Sequence, residues 1–355
     1  MRKAITIFVA IVAVLVIFIF FKNFRIAGLG QVSVEPRFPT GNSLLAKAKQ
    51  HFTAKPISDS ESNTSDANGN LAVVDGRTQT KIQGRRTIRV ATFNLGSWNT
   101  TKSRKPSVVE IVARMISQYD VIAVQEIQSS TDDPLPRLVD QMNKLGGEFD
   151  FAIGPRLGKR TATEQYGFIF NRKTVELDRT ELHTVYDKDD RLTREPFVGW
   201  FRTRAVRADR AFTFSLVNCH IDRSRLKQEL DAMDEVLFSV RDDGREEDDV
   251  LLVGDFGPNY RETGQLGRLT SIRWAINGLP TTTDGQGSVD NIVFQKRATI
   301  EFTGRSRTFN FLQKYNLALD HALEISNHLP VWAEFSVFEG GQPGRLATRE
   351  EQSIR

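Results

Sequence analysis

The side chains that could do chemistry in this chain sit in seven short polar motifs, each at the end of an apolar run. They are Asn94, Glu126, Glu164 in Glu164-Gln165-Tyr166-Gly167-Phe168, Asn218-x-His220, Gly254-Asp255-Phe256, Ser288-Val289-Asp290-Asn291, and Asn327-His328. Singly, each has a structural alternative. His328 could cap a turn, Glu126 could be tied to backbone amides, Asp255 could close a turn and Asp290-Asn291 could start a strand. Together they offer two histidines, several carboxylates and asparagines at one kind of topological position. That inventory suits metal-assisted phosphoester hydrolysis. A hard ion such as Mg2+, with Mn2+ or Ca2+ as alternatives, takes oxygen ligands such as Glu126 and needs few carboxylates, because water and phosphate fill the other positions. A histidine oriented by a carboxylate can deprotonate water, and a second can bind or protonate phosphoryl oxygens. Asparagine amides and an arginine can stabilise the charge that develops there.

Strands must bring these ends together. Residues 87–95 alternate apolar and polar and end on a polar group, which predicts a strand; 120–127 is an apolar run of buried-strand length. Further strands are expected over 149–153, 167–171, 174–185, 197–206, 211–219, 249–253, 289–294 and 331–338. Helices are expected over 106–119, opening on Pro106, over 134–145 and over 226–240. Strands outnumber helices, and 149–220 lacks the helices a doubly wound sheet requires. The pattern therefore predicts an α/β sandwich, two packed sheets with helices outside.

The N-terminus has a different character. Met1-Arg2-Lys3 is basic, and residues 4–21 carry no polar group beyond Thr6. As a helix this stretch spans roughly 27 Å, about the hydrocarbon thickness of a bilayer. No small-x-small cleavage site follows directly, so it reads as an uncleaved signal anchor. Residues 43–52 could form a short amphipathic helix, 54–75 read as a flexible tether, and 81–86 are basic. The expected organisation is a cytoplasmic N-terminus and transmembrane anchor over 1–25, a linker over 26–86, a catalytic domain over 87–338 and a polar tail over 339–355. The domain is expected on the extracytoplasmic side. A net charge of +4 leaves nucleic acid, membrane surface or no polyanion open, and the lone Cys219 rules out a disulfide framework or cysteine-based zinc site.

Over residues 88 to about 338 the motifs resemble the endonuclease/exonuclease/phosphatase superfamily, and within it deoxyribonuclease I. Thr92-Phe93-Asn94 is similar to the first-strand Asn motif and Val124-Gln125-Glu126 to the metal-binding Glu motif. Glu164-Gln165-Tyr166-Gly167-Phe168, Arg194-Glu195-Pro196, Asn218-Cys219-His220, Gly254-Asp255-Phe256, Ser288-Val289-Asp290 and Ser326-Asn327-His328-Leu329-Pro330-Val331 follow in the family's order. The resemblance implies a four-layered α/β sandwich. It also implies two carboxylate–histidine pairs, Glu164–His220 and Asp290–His328. Glu126 would hold Mg2+, Asp255 would position phosphate or water, and Asn94 and Arg194 would steady the phosphate and the site.

Three positions depart from the family pattern: Gly257 replaces an Asn, Asn327 an Asp, and Asn291 an Arg. Gln128 and Ala162 stand where deoxyribonuclease I places minor-groove residues. The basic loop with Arg156, Lys159 and Arg160 could contact phosphates. Asp320-His321 resembles an acid–histidine pair, but no Pro-Val strand follows it, so it reads as structural. The expected partner is nucleic acid, DNA foremost. The alternatives are a phospholipid headgroup and, given Gly257 and Asn327, a catalytically impaired binding protein.

Overall fold

The structure, a computed structural model, describes residues 24–27, 33–36, 86–131, 133–158, 163–261 and 264–341. The chain divides into two units, residues 1–78 and 79–355. Of the first unit, β1 (Phe24–Ala27) and β2 (Ser33–Pro36) are described, and they pair antiparallel. The expected anchor over 4–21, the helix over 43–52 and the tail beyond 341 lie outside the described residues. The hairpin falls where the sequence suggested the anchor's end and an aperiodic linker. Among the described residues no helix is long and apolar enough to cross a membrane.

The second unit contains, in chain order, β3 (Thr87–Trp98), α1 (Pro106–Ile116), β4 (Val121–Ile127), α2 (Pro134–Lys144), β5 (Phe149–Ile153), β6 (Gln165–Asn171), β7 (Val175–Thr184) and β8 (Phe197–Thr203). There follow β9 (Thr213–His220), α3 (Leu226–Arg241), β10 (Val250–Asp255), β11 (Ile272–Trp274), β12 (Asp290–Gln295), β13 (Phe302–Thr308), α4 (Phe311–Tyr315), α5 (Leu319–Ile325) and β14 (Val331–Ser336). The strands form two six-stranded sheets, ordered β13-β14-β3-β4-β6-β5 and β11-β12-β10-β9-β8-β7. Only β3–β4 and β9–β10 pair in parallel, so both sheets are mixed.

Side-chain alternation along a strand explains the layers. One face of each central strand carries large apolar groups, Val90, Ala123, Phe168, Phe214, Leu251, Val253 and Phe335 among them, and these fill the space between the sheets. The other faces turn outward. Phe93, Ile122 and Val124 meet α1, α2, α4 and α5 through Val112, Leu138, Phe311 and Ile325. Val217, Cys219 and Leu252 meet α3 through Met233 and Leu237. The four-layered order predicted from the sequence is therefore present.

On the inward faces the apolar residues give way to polar ones at one end of the sandwich. The series Ile88-Val90-Thr92-Asn94, Ala123-Gln125, Leu216-Asn218-His220 and Leu251-Val253-Asp255 all run this way. Just below that end a hydrogen-bonded bridge crosses the apolar layer. Gln125 Nε2 donates to Thr92 Oγ1 at 2.9 Å and to Asn218 Oδ1 of the facing sheet at 2.6 Å. Asn218 Nδ2 donates back to the carbonyls of Val124 and Gly167, at 3.0 and 3.2 Å. Substituting Asn218→Leu strands several of these groups in a dry layer. The expected loss is roughly 2–4 kcal/mol of unfolding free energy, read from urea titration.

Candidate active site

Backbone geometry aims Glu126 first. It lies on β4 between two register irregularities, one against β3 and one against β6, and its φ is +58°. Such a bulge re-aims one side chain while the strand continues to Ile127. A left-handed non-glycine residue costs about 1–3 kcal/mol and persists where its surroundings over-determine it. Here Asn94 Nδ2 donates to Glu126 Oε1 at 3.0 Å and the Ser97 amide donates to Oε2 at 2.7 Å. Gly96 and Ser97 are themselves left-handed, and Lys102 Nζ donates to the carbonyls of Leu95 and Gly96. Burial lowers the Lys102 amine to about 8, against the pull of Glu126. Burial would raise the Glu126 carboxyl, but His220, Asn94, the Ser97 amide and His328 together hold it below the ordinary range.

The two histidines are each backed by a buried carboxylate. His220 Nδ1 lies 2.7 Å from Glu164 Oε1, and His328 Nδ1 lies 2.9 Å from Asp290 Oδ2. An ionised carboxylate only accepts, so each Nδ1 carries the proton and each Nε2 faces the cleft. The Nε2 atoms converge on one oxygen: Asp255 Oδ2 is 3.8 Å from that of His220 and 3.7 Å from that of His328. Glu126 Oε1 completes the group, 3.9 Å from His220 Nε2. Glu164, Asp255, Asp290 and His328 are buried, whereas Glu126 and His220 are partly exposed, so the cleft opens above that pair.

Burial works against charge on both imidazoles. At His328 the Asp290 charge and hydrogen bond, with Asp255 and Glu126 beyond, outweigh it and raise the ring to about 9. At His220 Glu164 and Asp255 also prevail over burial, and the ring is raised.

Arg194 stands behind this group. Its Nε lies 3.3 Å from Glu164 Oε1, and its Nη2 donates to the His220 carbonyl at 3.2 Å. Its guanidinium therefore braces the first pair from the far side, and it steadies the site without facing the cleft. Asn94, expected to steady phosphate, has its Nδ2 donating to Glu126 and its Oδ1 accepting from the Gly96 amide. Arg156 is exposed and donates to the Ser129 carbonyl. Lys159 and Arg160 lie outside the described residues. His321 is exposed on α5.

The three departures from the family motifs also have physical settings. Gly257 has φ +74°, a left-handed conformation that strains a residue with a side chain, and a Cβ there would displace only the end of the Leu226 side chain, 2.7 Å away at Cδ1. Its amide donates to Asp255 Oδ1 at 2.8 Å. Asn259, two residues on, is exposed. Asn291 faces away from the cleft, where it binds the Tyr260 hydroxyl and both backbone groups of Ile276. Asn327 is exposed at the rim, its Oδ1 3.2 Å from where a Cβ on Gly96 would stand.

Two loop threonines are site residues that the sequence did not single out. Thr281 Oγ1 accepts from the amides of Val289 and Asp290, at 2.8 and 3.0 Å. Thr283 Oγ1 donates to the carbonyls on either side of Asn327. Together they fix Asp290 relative to His328. Ser326 joins the same loop to β3, donating to the Asn94 carbonyl at 2.7 Å and accepting from the His328 amide at 3.0 Å.

These donors suit a hard divalent cation. Glu126 presents a bound, ionised carboxylate to the open side of the cleft, and Asp255 Oδ2 adds a second oxygen between two imidazoles. The Endonuclease/Exonuclease/phosphatase family model matches residues 91–323, and the chain belongs to that family. The matched span stops short of His328, which the geometry itself places in the site. Deoxyribonuclease gamma of Rattus norvegicus is 27% identical over 290 residues, 77% of this chain and 90% of the relative. Deoxyribonuclease-1-like 1 of Bos taurus is 27% identical over 281 residues, 75% of this chain and 87% of the relative. A functionally unknown conserved protein from Enterococcus faecalis V583 superposes with a TM-score of 0.50 at 16% identity, covering 71% of this chain and 100% of that one, a likeness of fold alone.

The His328 environment makes a pH prediction. Its folded value of about 9 lies above the unfolded value of about 6.5. The stability it contributes is therefore complete below pH ~6.5 and is lost as pH rises through ~9. In metal-free urea titrations, His328→Gln is expected to flatten the decline in stability across that window.

Proposed function

We propose that residues 87–338 form a divalent-metal-dependent phosphodiesterase that hydrolyses nucleic-acid backbones, DNA foremost, in the manner of a DNase I-like endonuclease. The observation that carries this reading is the convergence of two carboxylate-backed imidazoles on Asp255 beside Glu126. The deoxyribonuclease relatives support DNA as the substrate class. A divalent ion bound at Glu126, with Mg2+ the first choice, would polarise a phosphoryl oxygen and offset the charge that builds on it. The protein's own groups handle the protons. One Nε2, in its neutral form, takes a proton from the attacking water as the new P–O bond forms. The other, protonated, gives one to the leaving oxygen as the old bond breaks. Glu164 and Asp290 hold the rings in the required tautomer, and Asp255 orients the water or the protonated ring between them.

The same reading places the domain outside the cytoplasm, tethered through an anchor over residues 4–21. Length, apolarity and the basic residues before it support the tether. Retention of the full chain in membranes after alkaline carbonate washing, and its release on deleting residues 2–25, are the expected outcomes. Extraction of the full chain by carbonate would refute the anchor.

Activity is tested on the purified full chain with plasmid DNA, RNA, sphingomyelin and phosphoinositides in Mg2+, Mn2+ or Ca2+. Nicking of plasmid that is abolished by EDTA is expected. His220→Ala and His328→Ala should each lower it by about 10²–10⁴-fold. Hydrolysis of lipid without nicking would transfer the site to a headgroup substrate, a reading that Gln128 and Ala162 at the groove positions favour. No turnover on any substrate would leave a binding protein, and turnover indifferent to both substitutions would refute the site.

A further inference from the structure

The alternation that brings Asp255 into the cleft also acts at the other end of β10. Asp249, Leu251, Val253 and Asp255 share one face, and the two apolar members lie in the layer between the sheets. Asp249 therefore enters the same layer about 20 Å from Asp255, at the far end of the sandwich. There it meets Glu301, which precedes β13, and Glu339, in the turn that follows β14. Each supplies a carboxylate oxygen, and the three oxygens lie within 4.8 Å of one another.

Asp249 and Glu301 are 1% and 2% exposed, and Asp249 Oδ1 and Glu301 Oε2 have no hydrogen-bond partner. Backbone amides hold one oxygen each of Glu301 and Glu339: the Gly341 amide donates to Glu301 Oε1 and the Thr213 amide to Glu339 Oε2, both at 3.1 Å. Among the described residues no lysine or arginine pairs with any of the three. Burial raises Asp249 to about 9, with Glu301 adding to it, and burial raises Glu301 to about 7. Buried carboxylates without a cation or a full set of hydrogen bonds are costly.

We propose that Asp249, Glu301 and Glu339 form a calcium-binding site at the end of the sandwich remote from the candidate active site. All the donors are oxygen. Calcium–oxygen bonds of about 2.3–2.6 Å span oxygens at this separation, and Ca2+ accepts irregular geometry. Glu339 is exposed and gives the ion access from solvent. The Thr299 hydroxyl lies beside Asp249. Because Asp249 directly precedes a strand of one sheet and Glu301 and Glu339 flank strands of the other, the bound ion would staple the two sheets.

The test is thermal unfolding and calorimetry on the chelator-stripped full chain with Ca2+. At a hundredfold excess over Kd, a rise in Tm of about 5–10 °C is expected for a domain of this size. Glu126→Gln, which alters the candidate active site, should keep the rise. Asp249→Asn with Glu301→Gln should abolish it, and in chelator that variant should melt no lower than wild type, because the cost of burying these unpartnered carboxyl groups is gone. Glu339→Gln, a change at an exposed rim, should fold normally and weaken Ca2+ binding at least tenfold by calorimetry. No rise in the wild type, a rise that disappears in Glu126→Gln alone, or an undiminished affinity in Glu339→Gln would overturn the proposal.

Discussion

The sandwich depends on one buried hydrogen bond between amides, donated by Gln125 to Asn218. Two sheets packed through side chains alone can slide, because apolar contact is non-directional. A pair of amides in a dry layer cannot slide without abandoning hydrogen bonds that no water replaces. Gln125 is followed directly by Glu126, and Asn218 stands two residues before His220 on the same face of β9. The bridge therefore sets the Glu126 carboxylate of one sheet against the His220 imidazole of the other. Asn218 also reaches the carbonyls of β4 and β6, so three strands take their register from a single side chain.

Close backbone approach supplies the second constraint. A Cβ on Gly254 would lie 1.8 Å from the Cys219 carbonyl oxygen, and the glycine has φ +142°. β9 and β10 run side by side only because that atom is missing, and the next residue on each strand is a catalytic candidate, His220 and Asp255. The rim is built by loops instead. Ser326, Thr281 and Thr283 stitch three segments together so that His328 and Asp290, distant in sequence, meet behind the same oxygen of Asp255.

Much of this was legible in the sequence because alternation and strand-end position are local signals. Runs such as Leu251–Asp255 announce their inward face and their end. Both carboxylate–histidine pairs formed where the motif order placed them. Elements with weak local signals were missed: β11 is three residues long, β13 is largely polar, and α4 and α5 are too short for a clear period. Thr281 and Thr283 carry no local signal in the sequence, since their role exists only once Asp290 and His328 have met. Arg194 was legible as a site residue but not in its direction, because facing the cleft or bracing Glu164 from behind depends on the path of the loop before β8. Gly257 reads differently in three dimensions: its left-handed backbone, φ +74°, suits a glycine in the turn after β10.

The placement of Asp255 Oδ2 between the two Nε2 atoms, at 3.8 and 3.7 Å, has a consequence for any titration of this cleft. A proton gained by either ring changes the field at the other through the oxygen they share, and Glu126 feels both. The group then exchanges protons as one polybasic acid, with macroscopic constants that belong to the ensemble of charge states. The two limbs of a pH–rate profile would report those constants, and neither limb would carry the name of a single histidine.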